Sequence, residues 1–192
     1  MLKRSLLTLA ISIAATLPAF AHLDPAEHGS FAAGFSHPLF GLDHILAMVA
    51  VGLWAATQGG RALWLVPAAF VGTMALGFAA AIAGMPLPFV EPVILASVIF
   101  IGIAIALALP VPTSAVAAMV GFFAFFHGHA HGGELGGAGA WEFAIGFVIA
   151  TAALHATGIG AGLMLAQFSG KVLTRIAGAA TALGGLYLAI GG

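Results

Sequence analysis

Residues 113–134 read TSAVAAMVGFFAFFHGHAHGGE. The first fourteen carry no charge and four phenylalanines, a composition that no water-soluble helix would keep. The run then ends in His127, His129, His131 and Glu134. Metal- or proton-binding donors at the mouth of an apolar segment point to a membrane helix holding a polar site at one end.

The rest of the chain has the same character. Of its 192 residues, 62% are hydrophobic and 6% charged, where a soluble domain carries about 25% charged residues. A net charge of −1 leaves no basic patch to follow a phosphate backbone, so nucleic acid is excluded as a partner. The absence of cysteine removes disulfides, iron–sulfur clusters, thiolate metal sites and cysteine nucleophiles together. Any metal must be held by nitrogen and oxygen.

Residues 1–21, MLKRSLLTLAISIAATLPAFA, have the basic start, apolar middle and small-x-small end of a secretory signal. Cleavage would make His22 the first residue, outside the cytoplasm. The alternative is an uncleaved first anchor. A bilayer core needs about 20 apolar residues per helix, and six such runs follow, near 34–57, 62–84, 89–109, 113–131, 141–168 and 171–191. Turn residues separate them: Gln58 to Arg61, Gly84 to Pro88, Pro110 to Pro112, a glycine-rich loop over 132–139, and Ser169 to Lys171. With His22 outside, Arg61, Lys171 and Arg175 fall on the cytoplasmic side, in accord with the positive-inside rule. The expectation is an all-α polytopic membrane bundle of six transmembrane helices, a single domain over 22–192, multi-pass in a bacterial inner membrane. Small residues around Gly158 and over 177–185 suit close helix packing.

Ionisable groups in apolar spans are functional candidates, and here they gather on the outer side. The first cluster is Ser36-His37-Pro38-Leu39-Phe40-Gly41-Leu42-Asp43-His44. On an unbroken helix His37 and His44 lie about 10 Å apart along the axis, too far to share one ion at bond lengths near 2 Å. Pro38 disfavours helical geometry at His37 and suits a first helical position. Gly41 permits a kink that folds His37 back toward Asp43 and His44. Asp43 and His44 point about 100° apart on a helix, so that one ligates while the other orients a partner from behind. The competing reading is a kinked helix with a capping histidine.

In the second cluster, His127 and His131 share a helix face at i, i+4, the spacing that lets two imidazoles hold one ion. His129 points elsewhere, a capture ligand in a frayed helix end, and Gly132 and Gly133 would let Glu134 swing. A solvated histidine-rich loop and a pH-sensing cluster compete with metal binding. The spacing is not H-E-x-x-H, so nothing points to a zinc hydrolase or to an enzyme. Three further candidates are His22, Glu91 and His155. His155 would be an inner relay ligand beside a break at Gly158 and Gly160, or a hydrogen-bonded core histidine. Glu91 and Glu142 begin helices, where the dipole favours a carboxylate, and Met48 and Met119 suit packing.

These residues resemble the HupE/UreJ family, hydrogenase- and urease-associated membrane proteins regarded as nickel or cobalt permeases. The match spans essentially the whole chain: a signal, a mature end starting with histidine, His37-Pro38…Gly41…Asp43-His44, and Phe126-His127-Gly128-His129-Ala130-His131-Gly132 with Glu134. The resemblance implies that His37, Asp43, His44, His127 and His131 are critical to transport, with His129 and Glu134 contributing. The H-x4-D-H signature of the larger nickel/cobalt transporters is similar, but five residues separate His37 from Asp43 here. The expected function is therefore a secondary permease importing Ni2+ or Co2+, with no permanent cofactor, supplying hydrogenase or urease maturation proteins. The rival is a non-transporting metallochaperone or sensor that holds metal at the outer face.

Overall fold

The computed structural model describes residues 30–135, 139–169 and 171–191, with the side chains of Glu134 and Ser169 excepted. The expected signal and His22 lie outside these. The described residues form seven helices and no strand: α1 Phe31–Phe40, α2 Leu42–Gln58, α3 Ala62–Ile82, α4 Val90–Leu107, α5 Thr113–Leu135, α6 Ala140–Ser169 and α7 Val172–Ala189. Helices α3 to α7 are each long and apolar enough to cross a bilayer. The protein is a multi-pass membrane protein of all-α class.

The first expected span, 34–57, is not one rod. It is broken into α1 and α2, which meet at 83°. With ten residues, α1 is about 15 Å long and cannot cross a 30 Å core by itself. Ser30 starts it, its Oγ accepting a hydrogen bond from the Ala33 N–H at 3.1 Å. Pro38 does not open a helix, as the sequence reading expects; it lies inside α1, so His37 is helical. The missing proline N–H weakens the last turn, and α1 stops at Phe40. The break itself falls at Gly41, as expected.

Two other boundaries differ from expectation. Helix α5 runs through Gly132 and Gly133 to Leu135, so these glycines belong to a helix and not to a loop. Helix α6 is unbroken across Gly158 and Gly160 over 30 residues, about 45 Å. The backbone bonds of a membrane helix have no water to turn to, which holds glycines in the helix.

Lipid is as apolar as leucine, so close backbone packing replaces the hydrophobic drive between helices. The helices pack chiefly as α3 with α5, α4 with α7, and α1 and α2 with α6. Reciprocal glycines sit at the crossings: Gly52 against the His155 carbonyl and Gly158 against that of Val49, Gly77 against Phe125 and Gly128 against Met74, Gly102 against Ala182 and Gly178 against Ala106. A Cβ at any of these would collide with a partner's main chain. Helix α2 is central. It buries His44, Met48, Val51, Leu53 and Trp54, while Phe89, Phe122, Trp141 and Phe168 face outward from the surrounding helices.

Candidate metal centre

The break at Gly41 brings the two sequence clusters together. His37 at the end of α1, His44 in the first turn of α2 and His131 near the end of α5 each offer a ring nitrogen, and the three nitrogens lie within 4.8 Å of one another. The closest pair is His44 Nε2 and His131 Nε2, 2.6 Å apart. His37 closes the group, its ring 4.5 Å from that of His131 and 5.7 Å from that of His44. His44 and His131 are buried and His37 is half-buried.

Asp43 stands behind the group. Its Oδ1 lies 3.0 Å from His44 Nδ1, a close charge contact and not an aligned hydrogen bond. The carboxylate favours a proton on Nδ1, which leaves the Nε2 lone pair of His44 for the centre. Of the two residues, His44 turns its ring toward the other imidazoles and Asp43 lies behind that ring. Gly41 makes room for both. Its φ of −82° and ψ of 116° suit any residue, so its value is not backbone freedom. A Cβ there would come within 2.8 Å of His44 Nδ1 and 2.9 Å of Asp43 Oδ1.

His127 shares the buried face of α5 with His131, as the i, i+4 spacing predicts, but it is not one of the three clustered imidazoles. Its ring is 5.5 Å from that of His44, and its Nε2 lies 3.1 Å from Ser97 Oγ on α4. The Ser97 hydroxyl donates to the Ile94 carbonyl at 2.6 Å. It therefore accepts from His127 Nε2–H, which leaves the buried Nδ1 with the lone pair. Ser97 escaped the sequence reading, although a polar residue within the apolar α4 was a usable signal.

His129 points away. Its Nε2–H donates to the Met85 carbonyl at 2.7 Å, in the turn after α3, and the helix there is not frayed. Glu134 falls in the last turn of α5, and its side chain lies outside the described residues. Glu91 is exposed in the first turn of α4, outside the imidazole group. His155 is fully buried on α6 with its ring 4.9 Å from Phe70, whose ring is also 5.7 Å from His127. Among the described residues neither His155 nitrogen has a hydrogen-bond partner.

Aromatic rings from α6 form one wall. Phe147 lies 4.7 Å from the His131 ring and 6.3 Å from those of His37 and His44, and Phe143 lies 6.0 Å from His37. Such a wall excludes water from one side and strengthens ion–ligand attraction. Charges are sorted by end. Asp43, Glu91 and Glu142 occupy first turns of α2, α4 and α6 at the imidazole end, and Arg61, Lys171 and Arg175 lie at the opposite end. Borderline divalent ions such as Ni2+, Co2+, Zn2+ and Cu2+ suit an imidazole set backed by a carboxylate.

A family model described as HupE / UreJ protein matches residues 9–188. The protein HupE of Rhizobium leguminosarum bv. viciae is 44% identical over 192 residues, 99% of this chain and 100% of that protein. No solved structure matches the chain.

Proposed function

Because this chain belongs to the HupE / UreJ family, we propose that it is a secondary permease of the bacterial inner membrane. It takes Ni2+, or Co2+, from the outer face and carries it inward for hydrogenase or urease maturation proteins. The observation that carries this reading is the group of three imidazoles, His37, His44 and His131, drawn from three helices within 4.8 Å of one another.

The cargo ion approaches the end of the bundle that carries the carboxylates and loses part of its water shell to the three ring nitrogens. Two imidazole nitrogens bound to one ion at about 2.0–2.1 Å stand roughly 2.9–3.4 Å apart. His44 and His131, at 2.6 Å, share a proton and part by a few tenths of an ångström when the ion replaces it. Asp43 holds His44 in the ligating tautomer and offsets part of the cargo's charge. The remaining coordination positions stay with water, so the ion is held loosely enough to move on. Inward movement of two charges gains about 4.6 kcal/mol per 100 mV of membrane potential. His127 and then His155, both against Phe70, are the next nitrogens on the inward side.

Flux of radioactive nickel into proteoliposomes, beside equilibrium binding on the same protein, tests the proposal. Saturable flux that rises with an inside-negative potential supports a permease. Tight binding without flux would replace it with a metal-holding protein, and neither binding nor flux of Ni2+ or Co2+ would end the metal reading.

A further inference from the structure

Helix α4 carries one polar residue beyond its first turn, Ser97, and that side chain is fully buried. A serine in a membrane helix can be satisfied within its own helix, its hydroxyl donating to a carbonyl one turn back, as Ser97 does to Ile94. That bond asks for no partner on another helix. Ser97 has one nonetheless: its Oγ lies 3.1 Å from Nε2 of His127 on α5, which is equally buried. The single hydroxyl proton is already committed to the Ile94 carbonyl at 2.6 Å, so the serine oxygen receives the proton of the ring.

The direction of this bond decides which nitrogen of His127 can bind a cation. A neutral imidazole has one N–H and one lone pair, so a ring that donates from Nε2 ligates only through Nδ1. His127 Nδ1 is buried and has no hydrogen-bond partner among the described residues. His44, whose ring is 5.5 Å from that of His127, is fixed the other way round: Asp43 lies against its Nδ1 and leaves Nε2 for the ion. Neighbouring rings thus offer opposite nitrogens, each selected by a polar side chain at its back. We propose that Ser97 is the positioning residue of the inward ligand: it holds His127 with Nε2 protonated and makes Nδ1 the nitrogen that receives the cation from the outer centre. The inference rests on the permease reading for that transfer, and extends it to a helix that supplies no imidazole.

The test uses the full chain in detergent with 15N-labelled histidine, His127 being assigned from the signals lost in His127→Gln. At about pH 8, where an unperturbed imidazole is neutral, protonated and bare ring nitrogens give separate signals. The parent should show Nε2 of His127 protonated, and excess Zn2+, a diamagnetic ion suited to imidazole, should displace the Nδ1 signal. Ser97→Ala should lose the preference for Nε2–H, and Ser97→Thr, which keeps a hydroxyl, should retain it. In proteoliposomes Ser97→Ala should slow nickel flux about 10–100-fold, the range for loss of a ligand's orienting partner. Equilibrium binding at the outer centre should stay within about twofold, and Ser97→Thr should restore most of the flux. A parent His127 protonated on Nδ1, a Nδ1 signal that Zn2+ leaves in place, or a Ser97→Ala protein with the parent's tautomer would each overturn the proposal. If the parent carries no nickel, the permease reading falls, while the tautomer and the Zn2+ shift still decide the role of Ser97.

Discussion

His44 Nε2 and His131 Nε2 lie 2.6 Å apart although 87 residues separate them in the chain. One nitrogen of this pair carries a proton and the other accepts it, or both turn to a single ion. Either way the two rings act together, and the behaviour of the site follows from that pairing.

Replacing either ring removes the shared position. His44→Ala and His131→Ala should each lower nickel uptake to under about a tenth, and the double variant should be little worse than either, because residues acting as a unit are not additive. Proteoliposome flux on protein shown to be made and inserted reads this directly. Effects that multiply would mean that the two imidazoles serve separate ions.

Gly41→Ala tests the space beneath Asp43 and His44. The new methyl would push the two side chains aside, and loss of a ligand's supporting contacts costs about 10–100-fold in metal affinity. Asp43→Asn should fall in the same range by a different route, through the tautomer of His44. Calorimetric titration with Ni2+ compares them. Unaltered affinity in Gly41→Ala would show that the carboxylate and imidazole need not fold back over residue 41.

Glycines at helix crossings and glycines on open faces should part company. Gly158→Ala drives a methyl into the Val49 carbonyl, whereas a Cβ at Gly160 meets nothing within 4 Å. Overpacking costs about 1–3 kcal/mol, while alanine improves on glycine in a helix by about 1 kcal/mol. Thermal unfolding in detergent should therefore come earlier for Gly158→Ala and no earlier than the parent for Gly160→Ala.

Protons and metal compete for the same nitrogens, and only neutral imidazole ligates. Uptake should fall as external pH is lowered, and the competing effect should be relieved by more nickel. Inhibition by protons that no excess of nickel relieves would separate the histidines from the cargo.

His127 and His155 should behave as later stations. His155→Ala is expected to leave outer-face binding within about twofold while slowing flux about tenfold or more, the pattern of a residue that acts after binding. His127→Ala should also hurt flux more than binding, since its ring is outside the three-imidazole group. Equal losses in binding and flux for His127→Ala would return it to the primary site.

Much of this protein is readable before folding. Apolar runs of bilayer length, interrupted by glycine and proline, and so few charges leave no architecture but a helical membrane bundle. The same scarcity makes each buried imidazole or carboxylate conspicuous, which is why His37, Asp43, His44 and His131 stand out from sequence alone. The i, i+4 face of His127 and His131 is likewise a local property of a helix.

What the sequence by itself determined was the class of the fold and the inventory of donors, because both depend on composition and short-range periodicity. Only the tertiary structure decided which donors meet. His131 joins His37 and His44 where all three rings meet Phe147 of α6, while its helical neighbour His127 is drawn to Ser97 on α4. His129, equal to the others in the sequence motif, turns to the Met85 carbonyl instead. These outcomes rest on distances between helices that are remote in the chain. Such distances are set by reciprocal glycines at the crossings and by the 83° break at Gly41, and no local pattern encodes them.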